Sequence, residues 1–389
     1  MTNEILKEIN SIDWNFKGAW TQEGIHGLHW YPGVFIPQIA NNLVRLLTSR
    51  GEKILDPFCG CGTTLVEAIK LGRVAIGMDC NPMAVLISKV KCYEYSVESL
   101  RRKLSSICER SADRLLDNQR HDISASHEML RDWFSPTTLM DLLSIWNNIN
   151  HYAENEDKIF FRVCLSHVLK SSSSQEKHWG WVADNVTPKN LKDKDILKMF
   201  ASHCEEMIRA LEKIYYQTRD IVDMQIDAAH KSDAFLHDCR QPIKCVEEVD
   251  AIITSPPYPS VIDYTKAHRL SYYLFGWNLN ADKEIEIGAR WKRTRKTQLD
   301  QYVEDILGSF ENINRVLKKG GLIGMVIDAT KRKRNVLSES SYVDIARLLV
   351  EHFKYENLSG YIKRKYSDQR IVDSLGRQNS EHIVILKKT

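Results

Sequence analysis

The stretch KILDPFCGCGTTLVEAIKLGRVAIGMD, residues 53–79, limits the folds open to this chain more than any other. Ile54 and Leu55 lead an apolar strand to Asp56. Phe58-Cys59-Gly60-Cys61-Gly62 then makes a glycine-bearing turn, Thr63 to Leu71 has the pattern of a helix, and Gly72 ends it. Val74 to Met78 is a second apolar strand that closes on Asp79. Strand, turn, helix and strand in this order form a β-α-β unit, the building block of a Rossmann-like α/β sheet. Glycines at the turn let a ligand approach the backbone at the helix N-terminus. An acid after the second strand suits the hydroxyls of a ribose. The glycines do not follow GxGxxG and there is no Walker loop, so the turn fits a nucleoside better than a dinucleotide. A tight turn that holds no ligand is the plainer alternative.

A second constraint lies far downstream. Val249 to Ile253 is a short apolar run that reads as a buried parallel strand, and it ends in Thr254-Ser255-Pro256-Pro257-Tyr258. Two prolines cannot continue a ladder, because each fixes φ and removes an N–H. The chain therefore leaves the sheet at Ser255 in a stiff turn. That turn has a hydroxyl at its entry, carbonyls along it and an aromatic ring at its exit. These groups suit a planar ligand with an exocyclic amino group: the oxygens accept from the NH2 while the Tyr258 ring stacks on the ring face. Taken alone, an ordinary strand-ending turn with a buried tyrosine is the better reading, and the glycine turn upstream shifts the balance.

Together, Asp56-Pro57-Phe58-Cys59-Gly60-Cys61-Gly62-Thr63-Thr64 and Thr254–Tyr258 resemble the paired motifs of the amino-group DNA methyltransferases, which make N4-methylcytosine or N6-methyladenine. The first motif matches the family pattern DPFxGxGTT. YPGVFIP, residues 31–37, is similar to the segment that closes over the methionine end of the cofactor, and NSEHIVILKK, residues 379–388, to the family's last strand. The resemblance implies a Rossmann-like S-adenosylmethionine-dependent methyltransferase sheet with a helical insertion. It implies that S-adenosylmethionine is held by Tyr31, Pro32, Asp56, Phe58, Gly60, Gly62, Thr63, Asp79 and Thr254. Ser232-Asp233-Ala234 resembles the position that meets the cofactor's adenine amino group, which gives Asp233 a place in the set; an exposed acid is the alternative. Ser255, Pro256, Pro257 and Tyr258 are the implied catalytic turn, acting on a flipped base with no metal and no cysteine nucleophile. Ser255 stands where many adenine enzymes of the family carry an acid or asparagine, which points to N4 of cytosine. N6 of adenine is the nearest alternative, and N2 of guanine in RNA a further one. A nucleic-acid-binding regulator with a degenerate core is the non-enzymatic alternative, and intact Asp56, Gly60, Gly62, Asp79 and Tyr258 argue against it.

The order of the motifs divides the chain into a cofactor half (1–93), a helical insertion (94–225) and a catalytic half (226–389). Within the insertion, Val97, Leu100, Leu104 and Ile107 follow helical spacing, as do Leu139, Leu142, Trp146 and Ile149 after the cap pair Ser135-Pro136. Ile159–Leu169 and Ile196–Tyr216 also read as helices. The insertion is a candidate target-recognition region or an oligomer surface. In the polar stretch 171–189, Ser171–Ser174, His178, Trp179 and Trp181 are candidate nucleic-acid contacts or parts of a solvated loop. By residue type alone His26, His29 and Tyr31 belong to surface packing, and residues before His26 carry no structural expectation.

The formal net charge is only +3, so any nucleic-acid surface must be local. Lys331-Arg332-Lys333-Arg334 follow the apolar strand Leu322–Ile327, and Lys363-Arg364-Lys365 follow Tyr355–Ile362. Both runs are expected at the carboxyl edge of the sheet, where they would hold phosphates of double-stranded DNA. ARWKRTRK, residues 289–296, is a further basic cluster with one tryptophan. Nine cysteines without CxxC or zinc spacing suit reduced thiols in a cytoplasmic protein. The N-terminus lacks a signal-peptide pattern and no run reaches membrane length, so no membrane partner is expected. A cognate restriction endonuclease is an optional partner, and no oligomeric state follows from the sequence.

Overall fold

Strands β1 (Lys53–Asp56), β2 (Val74–Asp79), β3 (Asp233–Leu236), β4 (Val249–Thr254), β5 (Leu317–Asp328), β6 (Glu356–Asn357), β7 (Ile362–Lys365) and β8 (Ser380–Lys387) join into one sheet in this computed structural model. The structure describes residues 2–34, 36–113, 125–175, 187–215, 227, 230–244, 246–328, 344–365 and 380–389. The strand order is β3-β2-β1-β4-β5-β8-β6, with β7 also paired to β8. β3, β2, β1, β4 and β5 run parallel, and β8 returns antiparallel between β5 and the short strands β6 and β7. The order reverses between β1 and β4. In an open α/β sheet, that reversal opens a crevice beyond the carboxyl ends of the strands.

Side chains alternate across the strands, so each strand feeds both faces. Ile54, Ala75, Ile253, Val326 and Ile385 bury against α1 (Thr2–Ser11), α2 (Pro37–Leu47) and α3 (Thr63–Lys70). Leu55, Met78, Ile252, Ile323 and Met325 bury on the other face. The helix spacing expected for Ile39, Leu43, Leu46 and Leu47 is met in α2, which opens on Pro37.

Between β2 and β3 the chain makes α4 (Pro82–Cys92), α5 (Val97–Ala112), α6 (Ala125–Glu128), α7 (Pro136–Tyr152), α8 (Asn155–Ser172) and α9 (Ile196–Tyr215). Ser135 caps α7 by accepting from the Thr138 N–H at 3.2 Å. Leu100, Leu104, Leu142, Ile145, Phe160, Phe161 and Phe200 form one buried cluster that continues into Met83 and Ile87 of α4. His178, Trp179 and Trp181 lie outside the described residues, and Ser172–Ser174 are buried at the end of α8.

Between β4 and β5 lie α10 (Tyr264–Ala267), α11 (Arg269–Phe275), α12 (Leu279–Ile285) and α13 (Gln298–Val316), and α14 (Ile345–Phe353) precedes β6. Ile306, Phe310 and Ile313 of α13 and Leu349 of α14 cover the second face of the sheet. The strand expected over Tyr355–Ile362 is broken in two. Gly360 sits at φ +63 and donates its N–H to Asn357 Oδ1 at 3.0 Å, which turns the chain before β7. No described helix is long and apolar enough to cross a membrane.

Candidate active site

The turn after β1 is held by its own backbone and by Asp79. Gly60 and Gly62 stand at φ +49 and +77, where a Cβ is disfavoured. The N–H groups of Gly60 and Asn81 donate to the two Asp79 carboxylate oxygens at 2.9 and 2.8 Å. Burial pushes the Asp79 carboxyl up to about 6, with the backbone N–H groups pulling the other way. A Cβ on Gly62 would lie 2.8 Å from Ser88 Oγ and 3.1 Å from Ser88 Cα. Gly62→Ala is therefore expected to cost at least about 1–2 kcal/mol from the left-handed φ alone, read as a lower urea midpoint at unchanged m.

Asp56 and Thr254 lie beneath this turn rather than in the open. The Thr254 hydroxyl donates to Asp56 Oδ1 at 2.6 Å, and the Phe58 N–H to the same oxygen at 3.2 Å. Both side chains are buried, and burial raises the Asp56 carboxyl to about 6. The pair fastens β1 to β4 where the two strands part.

A cleft opens at that point. It gathers Tyr31, Phe58, Gly60, Thr63 and Asp79 from the cofactor set, and Ser255 and Pro257 from the proline turn. Pro32, Gly62, Pro256 and Tyr258 are chain neighbours of these residues and do not themselves line it. Hydrogen bonds with other strands and helices fix the proline turn. Ser255 Oγ donates to the Val326 carbonyl at 3.0 Å, Tyr302 donates its hydroxyl to the Pro257 carbonyl at 2.9 Å, and Tyr258 donates to Glu381 Oε1 at 2.8 Å.

Several expected positions are corrected. Asp233 opens β3 and pairs in register with Ile76, whereas Leu236 pairs with Asp79. It therefore sits at the amino end of its strand, away from the cleft, and forms an ion pair with Lys89 at 3.1 Å. The carboxylate that lines the cleft after β3 is Asp238. Burial opposes its charge, but hydrogen bonds from Arg240 hold its carboxyl below the usual range. Arg364 does not stand on an open rim. It is 5% exposed, and its Nη1 donates to Glu381 Oε2 at 2.9 Å. Lys363 is exposed on β7; the Lys365 side chain and Lys331–Arg334 lie outside the described residues. His26 and His29 are buried, not surface residues, bonded at 2.8 Å to Glu67 and at 2.9 Å to Ser166.

Two lining residues carried no signal in sequence. Glu286 accepts from the Tyr264 and Thr265 N–H groups at 2.7 and 3.1 Å, and burial pushes its carboxyl up to about 7. Asn81 caps α4 through the Met83 N–H at 2.9 Å, while its buried Nδ2 has no hydrogen-bond partner among the described residues. An unsatisfied buried donor beside a carboxylate and two left-handed glycines fits the polar, nucleoside-bearing cofactor implied above.

A mostly parallel sheet with a glycine turn after β1, an acid after β2 and a cleft at the strand-order reversal is a Rossmann-like nucleotide-binding architecture, and it fits the S-adenosylmethionine-dependent methyltransferase sheet expected from the sequence. Residues 3–90 match the N6_N4_Mtase family, described as DNA methylase. The chain is similar to the type II methyltransferase M.MjaII of Methanocaldococcus jannaschii, at 23% identity over 85% of this chain and 76% of that protein. It is also similar to the type II methyltransferase M.MvaI of Kocuria varians, at 24% identity over 90% and 79%. A shorter likeness, 30% identity over 25% of this chain and 30% of the other, is to a tRNA (guanine(10)-N2)-dimethyltransferase of Methanothermobacter thermautotrophicus.

Proposed function

We propose that the protein is a type II DNA methyltransferase that methylates the exocyclic N4 amino group of a cytosine flipped out of double-stranded DNA. The observation that carries this reading is the Ser255 hydroxyl in the cleft, with its hydrogen already donated to the Val326 carbonyl. A hydroxyl so committed presents lone pairs, and an amino group is what it can receive. S-adenosylmethionine, when bound, supplies an electrophilic methyl group on a sulfonium. Asp79 would accept from its ribose hydroxyls and Asp238 from its adenine amino group, while Tyr31, Phe58 and Thr63 close the pocket around it.

The lone pair of an amine on a base ring is delocalised and nucleophilically weak. Accepting its protons at Ser255 Oγ and at the Pro256 carbonyl favours a pyramidal nitrogen whose lone pair can attack in line. The acceptor role is assigned to Pro256 from the resemblance; the neighbouring Pro257 carbonyl already takes the Tyr302 hydroxyl. Tyr258, tethered through its own hydroxyl to Glu381, offers its ring as the stacking surface for the flipped base. A neutral hydroxyl at Ser255 leaves no buried charge beside the cytosine edge, which favours cytosine over adenine. The helical insertion, residues 94–225, is the candidate reader of the target sequence, and a restriction endonuclease of the same specificity is the partner a type II enzyme has.

The tRNA dimethyltransferase likeness favours a second reading, in which the amino group is N2 of an RNA guanine. Incubating the purified protein with S-adenosylmethionine and either DNA or tRNA, then digesting to nucleosides for mass spectrometry, separates the readings. N4-methylcytosine in DNA is the expected product. N6-methyladenine alone would shift the base and keep the class. Methylated guanosine in tRNA with unmodified DNA would overturn the proposal.

A further inference from the structure

The basic cluster 289–296 lies outside the cleft and the proline turn. Between Arg290 and Lys296 the chain carries five cationic side chains and no acid, against a net charge of +3 for the whole chain. Arg290–Thr294 forms a short 3-10 helix that is joined directly to the loop leaving the proline turn. Ser260 donates its N–H to the Gly288 carbonyl at 2.8 Å, Arg290 to the Ile262 carbonyl at 3.0 Å, and Trp291 to Asp263 Oδ1 at 2.9 Å. Lys292 is buried and donates to the carbonyls of Glu284 and Glu286 at 2.8 Å each. Glu286 and Ile287 line the cleft, so the 3-10 helix is a rigid continuation of the cleft wall.

Trp291 gathers cations from α12 and from the residue that follows this helix. The Lys283 ammonium lies 4.3 Å from its ring centroid and the Arg295 guanidinium 4.4 Å. Arg293, Arg295 and Lys296 are exposed. Arg295 pairs with Glu284 at 3.5 Å, but this ion pair is solvent-exposed and so competes only weakly for the guanidinium. Like charges gathered on one short segment repel one another and gain when a polyanion arrives. An arginine held over an indole is also partly oriented, so less freedom is lost on binding.

We propose that Arg293, Arg295 and Lys296, with Arg295 held over Trp291, form a platform that binds the DNA backbone phosphates flanking the target base. This rests on the reading that the substrate is duplex DNA. The partners are phosphates, so the platform holds any sequence and contributes position, not specificity.

The test uses the full chain and a fluorescein-labelled duplex of mixed sequence, with affinity followed by anisotropy from 50 to 200 mM salt, a span long enough to expose a slope. Arg293→Ala/Lys296→Ala keeps the Trp291–Arg295 stack, and the triple variant adds Arg295→Ala. The log–log salt slope is expected to fall by about 0.9 for each phosphate left without its cation, so by about 1.8 in the double variant and about 2.7 in the triple. Unchanged S-adenosylmethionine affinity in both variants reports an intact fold. If the wild type methylates DNA and both variants keep its slope, the platform is overturned and the function stands. If the wild type methylates no DNA, the reading beneath the platform fails and takes the platform with it.

Discussion

Ser255→Ala is expected to lower kcat by about 100- to 1,000-fold, the usual loss when one preorganised hydrogen-bonding group is removed from a reacting centre. Binding of S-adenosylmethionine should change little, because the carboxylates and glycines proposed to hold it belong to other strands. The hydroxyl serves two partners. Its hydrogen goes to Val326, and its lone pairs are proposed to receive the substrate amine. Alanine leaves the Val326 carbonyl without that donor, so a modest stability loss of about 1 kcal/mol is expected as well. Stopped-time assays with saturating DNA and cofactor measure the rate; equal kcat in a folded variant removes Ser255 from the reaction.

Asp79→Ala should weaken S-adenosylmethionine binding by about 1.5–3 kcal/mol, roughly ten- to 150-fold, the scale of hydrogen bonds to a charged acceptor. The carboxylate also anchors the Gly60 and Asn81 N–H groups, so the turn loosens when it is removed. A pH dependence follows. In the free protein the Asp79 carboxyl is raised to about 6, and the ribose hydroxyls are taken to prefer the charged form. Affinity should therefore be flat above pH 7 and fall as pH drops through about 6. Calorimetry checks both claims, and a wild-type decline that persists unchanged in Asp79→Asn would assign it to another group. Asp56 and Glu286, raised by burial to about 6 and about 7, are the other candidates. All three carboxyls lie above their unfolded values. Their contribution to folding is therefore most favourable below the unfolded pKa and is lost as pH rises through the folded one.

The parts of the site legible in sequence are those fixed by short-range geometry. A turn that needs left-handed backbone at Gly60 and Gly62, and a strand that must end at Pro256, declare themselves in a few residues. Asp233 and Asp238 show the limit. Both are acids on the flanks of the same short strand, and only the pairing of Leu236 with Asp79 decides which one reaches the cleft. That register belongs to the sheet, not to the strand. Arg364 misled in another way: a run of basic residues after a strand reads as an open, phosphate-holding rim, until Glu381 from another strand pairs with one of them in the interior. His26 and His29 were equally opaque, since Glu67 and Ser166 lie at separations of 41 and 137 residues.

Tyr258 and Glu381, 123 residues apart, share one hydrogen bond, and that separation sets an order of events during synthesis. At about 5–20 residues per second, the ribosome needs about 6–25 s to pass from one to the other. Throughout that interval the nascent chain already holds the glycine turn, Asp79 and the proline turn, but β8 does not yet exist to receive the tyrosine hydroxyl. The residues proposed to hold the cofactor, from Tyr31 to Asp238, thus leave the ribosome before the ring proposed to receive the base gains the partner that aligns it.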